Sequence, residues 1–324
     1  MTILAAGPRS NIIGAVCAMA GAASFSINDA LIKYLSGDYA LHQIVFLRAV
    51  VALSLLVPLA LVLGRGMRLL RTRRPAMHAL RGMFMVTANT CFFLALAVLP
   101  LADAMALFFV APLLITALSF AVLGERVGPW RWAAVGLGLA GVLVMLRPGT
   151  EAFQPTALLA LCAAAAYAGL GLITRRNGGT ESAATFAVYA QCVFLLVSLG
   201  MGLTVGHGRF DAGTDPSLSF LFRSWRWIDP ADLPILLALG TASAAGAWLI
   251  SQAYRVAEAG VAAPFEYVAL PLAVLWGALL FADLPDGVAV AGMALIAAGG
   301  LLLIWREARA ARARRSLPPD AAVR

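Results

Sequence analysis

The 324-residue sequence predicts an all-α integral membrane protein in which ten transmembrane helices form two inverted five-helix repeats. Three observations lead there. The chain is 62% hydrophobic and only 12% charged, a composition that a water-exposed surface cannot accommodate. Its apolar residues fall into stretches of bilayer-crossing length. One of these stretches returns: FFLALAVLPLADAMALFFVAPLLITALSFAVLGE, 92–125, aligns without a gap on ISQAYRVAEAGVAAPFEYVALPLAVLWGALLFAD, 250–283. An internal duplication restricts the folds to be considered.

About 20 apolar residues cross a bilayer. On that criterion the first five spans are roughly 11–35, 42–63, 79–99, 102–123 and 131–147, and the second five 155–174, 183–205, 233–254, 260–281 and 286–305. The first span opens like a cleavable signal peptide. Its apolar run continues to about Leu35 and has a counterpart later, so it is expected to stay as a helix. Connections such as Pro100-Leu101 and Ala257 to Ala259 are short, so successive spans are antiparallel neighbours.

At a constant offset of 158, Ala95, Val98, Ala104, Val110, Ala111 and Leu114 meet Ala253, Val256, Ala262, Val268, Ala269 and Leu272. Glu125 meets Asp283, Ala134 meets Gly292 and Gly141 meets Gly299. An earlier register of 141 sets Leu31, Ile32 and Gly37 on Leu172, Ile173 and Gly178. The change of register implies a 17-residue insertion, and the polar loop 206–232 supplies it. The expected units are a first repeat over 11–147, a second over 155–305, a periplasmic loop over 206–232 and a basic cytoplasmic tail over 306–324.

Lys and Arg accumulate in cytoplasmic connections. Arg9, the run from Arg65 to Arg81, Arg126, Arg131, Arg175, Arg176, Arg255 and the tail arginines fall on one side. Lys33, Arg147, Arg209, Arg223 and Arg226 fall on the other. Both termini are therefore expected in the cytoplasm of a bacterium, with the chain in its inner membrane. Five spans per unit is an odd number, so the second unit enters from the opposite side. That inverted arrangement is one many secondary transporters use for alternating access. The net charge of +8 is distributed between spans rather than on one face, which argues against a nucleic-acid partner. Within the insert, 217–228 interleaves Phe220, Phe222, Trp225 and Trp227 with Arg223 and Arg226. An amphipathic helix in the outer interface is expected there.

The run GERVGPWRWAAVGLGLAGVLVMLRPG, 124–149, closes a five-span unit with an acid at its start and glycines after it. It resembles the EamA repeat of the drug/metabolite transporter superfamily. The second unit closes comparably with ADLPDGVAVAGMALIAAGGLLLI, 282–304, where Asp283 replaces the more usual Glu. The resemblance implies transport of a small organic molecule; family members carry amino acids, riboflavin, S-adenosylmethionine, other metabolites or drugs. The stretch FSINDALIKYLSGDYALHQIVFLRA, 25–49, is similar to the branch that includes S-adenosylmethionine uptake transporters.

Ionisable groups within a span are costly and mark functional positions by default. Asp29 and Lys33 are four residues apart and share a helical face, and Arg48 lies at a comparable depth in the second span. Asp29 and Arg48 are thus placed to bind a zwitterionic or anionic substrate, to exchange partners, or to form a permanent ion pair. The 141 register puts Leu170, Thr174 and Tyr189 at the matching places, so these charges belong to one half. Glu266, at the position of Phe108 in the first unit, is the candidate for proton coupling or cation recognition, with Arg255 close enough to partner it. The resemblance places spans 1, 3, 4, 6, 8 and 9 around the cavity, which selects Asn89, Phe108, Phe109, Tyr167, Trp248, Gln252 and Tyr267. Pro112, Pro264 and Pro271 interrupt the fourth and ninth spans, where bending would gate the cavity.

Other classes fit poorly. The only lysine, Lys33, is outside any phosphate-binding loop, which disfavours an ATP-driven pump. Neither GxSxG nor HExxH occurs, and His42, His78 and His207 are far apart, which disfavours an intramembrane enzyme. A channel and a broad drug or metabolite exporter remain as alternatives. Cys17, Cys91, Cys162 and Cys192 have no CxxC spacing, so neither metal, cofactor nor disulfide is expected. The expected partners are a small-molecule substrate and membrane lipid; a homodimer is compatible with the fold, but no residue demands it.

Overall fold

The computed structural model describes residues 8–62, 75–124, 128–177, 183–257 and 259–315, and the chain is helical through its apolar stretches. The long helices are α1 (Pro8–Leu35), α2 (Leu41–Val62), α3 (Pro75–Leu96), α6 (Pro129–Leu146), α7 (Ala157–Asn177), α8 (Ala183–Val205), α10 (Leu233–Val256) and α13 (Gly287–Arg315). Shorter ones are α4 (Leu101–Phe108), α5 (Ala111–Leu123), α9 (Pro216–Phe222), α11 (Ala259–Glu266) and α12 (Ala269–Phe281). Helix is what a bilayer requires of these stretches, because it pairs backbone groups within the segment. Among the described residues nine helical stretches are long and apolar enough to cross a membrane, counting α4 with α5 and α11 with α12 as one each. A further apolar stretch, Ala157–Ile173 in α7, is shorter; it is the predicted sixth span. Glu125, the Arg-rich connection 63–74 and the end of the tail, 316–324, lie outside the described residues.

The duplication reappears in the elements. Helices α4 and α5 fall on α11 and α12 at the same offset of 158, including the breaks at Phe109-Val110 and Tyr267-Val268. The caps that follow also correspond: Gly124 has φ 66° and Ala282 φ 53°, both left-handed. Packing is exchanged between the halves. Helix α1 runs along α10 and α3 along α7, so the first helix of each unit meets the third of the other, while α2 packs on α8 and α6 on α13. These exchanges describe a pseudo-two-fold axis.

The α6–α13 crossing shows it most closely. A Cβ on Gly141 would lie 2.7 Å from the Gly292 carbonyl oxygen, and one on Gly299 would lie 2.8 Å from the Ala134 carbonyl oxygen. Gly141 corresponds to Gly299 and Ala134 to Gly292, so one backbone contact is made twice. Small residues permit this approach where lipid offers no hydrophobic drive for association.

The insert departs from its expected form. Helix is confined to Pro216–Phe222, with the Asp215 side chain accepting from the Leu218 amide at 2.9 Å, and residues 223–229 are not helical. Trp225 turns inward, its Nε1 donating to His42 Nδ1, while Trp227 is 97% exposed. The segment straps the ends of α1, α2 and α3. Ser217 Oγ donates to the Leu94 carbonyl (2.8 Å), Arg223 Nη1 to that of Ser36 (3.0 Å), and Gln43 Nε2 to that of Arg226 (2.6 Å). Tyr39 Oη donates to Asp232 Oδ2 at 2.7 Å and accepts from the Asp229 amide. Nearby, Arg147 pairs with Asp286, whose carboxyl also accepts from the Ala289 amide. The Arg147 hydrogen bond holds Asp286 below its usual carboxylate range. A depressed carboxylate contributes above its unfolded value of 3.8 and loses that contribution as pH falls through the lower folded value. The clasp is therefore intact at neutral pH.

Gly141→Ala is expected to destabilise the protein by about 1–3 kcal/mol, because the added methyl meets backbone rather than a yielding side chain. Gly136→Ala, on the same helix with nothing within 4 Å of the added Cβ, should be neutral or better. Thermal unfolding in detergent, followed by tryptophan emission, checks the pair.

Candidate functional site

The break between α11 and α12 presents Glu266. Prolines at 112 and 271 have no N–H, so the carbonyls of Phe108 and Tyr267 lose the donor a continuous helix would supply four residues on. The chain tightens there: Val110 N bonds to the Leu107 carbonyl and Val268 N to that of Phe265, both at 3.3 Å. The breaks thus lie two to four residues before Pro112 and Pro271 rather than at them, and Pro264 sits inside α11. Glu266 is seven residues into α11, roughly 10 Å deep at 1.5 Å per residue.

Three tyrosines surround this carboxyl, and one of them touches it. Tyr254 Oη donates to Glu266 Oε1, and Tyr167 and Tyr267 are within electrostatic reach of the same carboxyl. Arg81 acts on Tyr167. Tyr167 is 42% and Tyr254 43% exposed. Aromatic rings extend it inward: Tyr167 stands edge-on to Phe108 at 5.4 Å, and Phe108 meets Phe92 at 5.1 Å. Phe109 and Tyr267, equivalent positions in the two units, touch at 4.7 Å on the pseudo-axis. The Tyr267 hydroxyl presses on Gly300, where a Cβ would lie 1.6 Å from it.

The second group lies toward the predicted outer end. Asp29 and Arg48 are 9% and 3% exposed but make no direct ion pair. Asn28 stands between them: its Nδ2 donates to Asp29 Oδ1 at 2.9 Å, and its Oδ1 accepts from Arg48 Nη1 at 3.4 Å. The guanidinium is clasped by the rings of Phe93 (5.5 Å) and Phe194 (5.0 Å), and its Nε has no partner. Both rings also line a pocket with Val86, Asn89, Thr90 and Ser198.

The remaining sequence candidates divide. Lys33 does not join Asp29. Its Nζ donates to the carbonyls of Leu96 (3.0 Å) and Leu99 (2.6 Å), completing the end of α3, and it lies near Asp283. Trp248 packs against Ala52, Leu56 and Ala244, between α10 and α2, away from Glu266. Asn89 Nδ2 donates to the Met85 carbonyl of its own helix while lining the pocket. Gln252 is half-buried on α10, four residues beyond Trp248. The side chain of Arg255 is outside the described residues; the group that reaches Glu266 is its neighbour Tyr254. Sequence reasoning missed Tyr254, Asn28 and Phe194. Tyr254 had a signal, since the short turn between α10 and α11 brings that end of α10 beside Glu266. Among the described residues no three His, Cys, Asp or Glu side chains gather as a metal site.

Residues 12–147 match the EamA-like transporter family. An S-adenosylmethionine uptake transporter of Rickettsia prowazekii is 27% identical over 87% of this chain and 89% of its own length. A riboflavin transporter of Rhizobium johnstonii is 28% identical over 96% of this chain and 97% of its own. A pseudopaline exporter of Pseudomonas aeruginosa is 26% identical over 87% and 93% respectively. A solved crystal structure shares the fold with a TM-score of 0.60, at 20% identity over 91% of this chain and 96% of that one. With its apolar helices and its paired half-helices the chain is an integral membrane protein, and its first half is similar to the EamA-like transporter family.

Proposed function

We propose that the protein is a secondary transporter that carries a small organic metabolite across the inner membrane by alternating access, with Glu266 as the proton-coupling group. The observation that carries the reading is the position of Glu266: a carboxyl at the end of a broken half-helix, within a span, hydrogen-bonded by Tyr254 and flanked by Tyr167 and Tyr267. A carboxyl so placed can lose and regain a proton without leaving the protein interior, while a neighbouring hydroxyl compensates its charged form.

Exchange of packing between two inverted units supports alternating access, because two conformations related by that exchange would be close in energy. The strap and the Lys33 contacts close the predicted outer end, whereas Tyr167 and Tyr254 are accessible toward the predicted inner one. The described conformation is thereby read as inward-facing, with both termini cytoplasmic. Relatives named for S-adenosylmethionine, riboflavin and pseudopaline favour a metabolite of that size, an amino acid or amino-acid-like compound, or a vitamin. The pseudopaline exporter keeps export as the second reading.

Purified protein in proteoliposomes, offered labelled amino acids, S-adenosylmethionine and riboflavin with and without an imposed pH gradient, tests this. Saturable uptake that rises with the gradient is expected of the wild type. Glu266→Gln should lose the response to the gradient, with gradient-driven uptake falling about tenfold or more, equivalent to at least ~1.4 kcal/mol. A variant that keeps the wild-type gradient response removes Glu266 from coupling.

A further inference from the structure

Asp29 and Arg48 are a buried acid and base that do not close on each other. In a bilayer span charges so placed are costly unless each is compensated. A structural ion pair would bring carboxylate oxygens onto the guanidinium, two at a time, in the geometry that suits Arg best. Instead Asn28 occupies the gap, bonded at 2.9 Å to the acid and at only 3.4 Å to the base. A guanidinium offers five N–H donors; here its faces rest on Phe93 and Phe194 and its Nε is unpartnered. Arg48 thus has donor capacity that the described protein does not use.

We propose that Asn28, Asp29 and Arg48 form a receptor for an amino-acid head group, with the ligand's α-carboxylate on the Arg48 guanidinium and its α-ammonium on Asp29. The inference rests on the transport reading above and names the substrate class. A zwitterion supplies both missing partners at once, which neither a plain cation nor a plain anion does. The adjoining pocket shares Phe93 and Phe194 with Arg48 and adds Val86, Asn89, Thr90 and Ser198. That lining also includes His42, and at about 20 Å³ the pocket holds little more than a water, so the site must open for the ligand's side chain to enter beside it. The second half of the chain has Leu170 and Tyr189 at the matching positions of the 141 register, so the helical unit forms there without the charged pair.

Full-length protein in detergent is titrated with L-methionine and S-adenosyl-L-methionine, with 3-methylthiopropylamine and decarboxylated S-adenosylmethionine, which lack the carboxylate, and with 4-methylthiobutyrate, which lacks the ammonium. Binding is read by equilibrium dialysis. At least one head-bearing compound should bind saturably, and its truncated forms at least about tenfold more weakly. Asp29→Asn should abolish the penalty for losing the ammonium and keep that for losing the carboxylate; Arg48→Gln should do the reverse. Gel filtration and tryptophan emission confirm that each variant is folded, and the Asp29 variant, which is isosteric, keeps the test open should the Arg48 variant unfold. Failure of both head-bearing compounds to bind, equal binding of the truncated forms, or discrimination that survives in the variants overturns the proposal. Saturable riboflavin uptake by the same protein alongside such a failure would leave transport standing. Discriminating binding with no uptake of any compound would uphold the receptor and remove the transport reading.

Discussion

A bilayer supplies no partner for a free amide or carbonyl, and the whole arrangement depends on that constraint. Continuous helix satisfies it along most of the apolar sequence. Two spans are broken nonetheless, at equivalent positions, and both breaks are covered by protein. Pro112 and Pro271 remove the donors, the chain shifts to tighter three-residue bonds, and the Tyr267 carbonyl is taken by the Leu270 amide at 3.1 Å. Because the broken segments sit between the two units, Phe109 and Tyr267 meet on the axis and Glu266 is delivered beside them, within reach of Tyr254. The same backbone geometry that in Phe108 presents a ring presents a carboxylate in the second unit.

Charge is used unequally at the two ends of this interior. Lys33 is spent on structure, since its ammonium completes the carbonyls at the end of α3. Arg147 and Asp286 form an exposed clasp, of the kind that contributes little to stability. Asp29, Arg48 and Glu266 have no such closure: an amide separates the first two, and the third is bonded by a tyrosine. Buried charge without a dedicated counter-ion is what the proposed exchange of ligands and protons requires.

Much of the fold was legible in the sequence because its signals are coarse and additive. Uninterrupted apolar stretches located the helices, and the 158 offset paired the positions that turn out to form matching half-helices and the glycine contacts of α6 and α13. The candidate site was legible in part. Prolines marked the broken spans, but the break appears near the carbonyl four residues earlier, which a reading of proline positions alone displaces. Trp248 came from the span it occupies; a helix apolar on every side carries no signal of its rotation, and Trp248 turns to α2. Tyr254 and Arg255 are neighbours in sequence yet about 100° apart around a helix, so proximity to Glu266 could not decide between them. In the insert, Trp225 points in and Trp227 out; the period of two is that of extended chain, and it had been hidden by an amphipathic composition.

Alternating access requires movement of the two units about their shared axis. Helices α3 and α10 are equivalent across it, so distances between spin labels at both of their ends report the motion directly, at Ala76 and Val256 on one side and at Val98 and Leu233 on the other, before and after a transported compound is added. Alternating access requires one distance to lengthen as the other shortens. Two distances that stay fixed, or that change in the same sense during saturable transport, would contradict it.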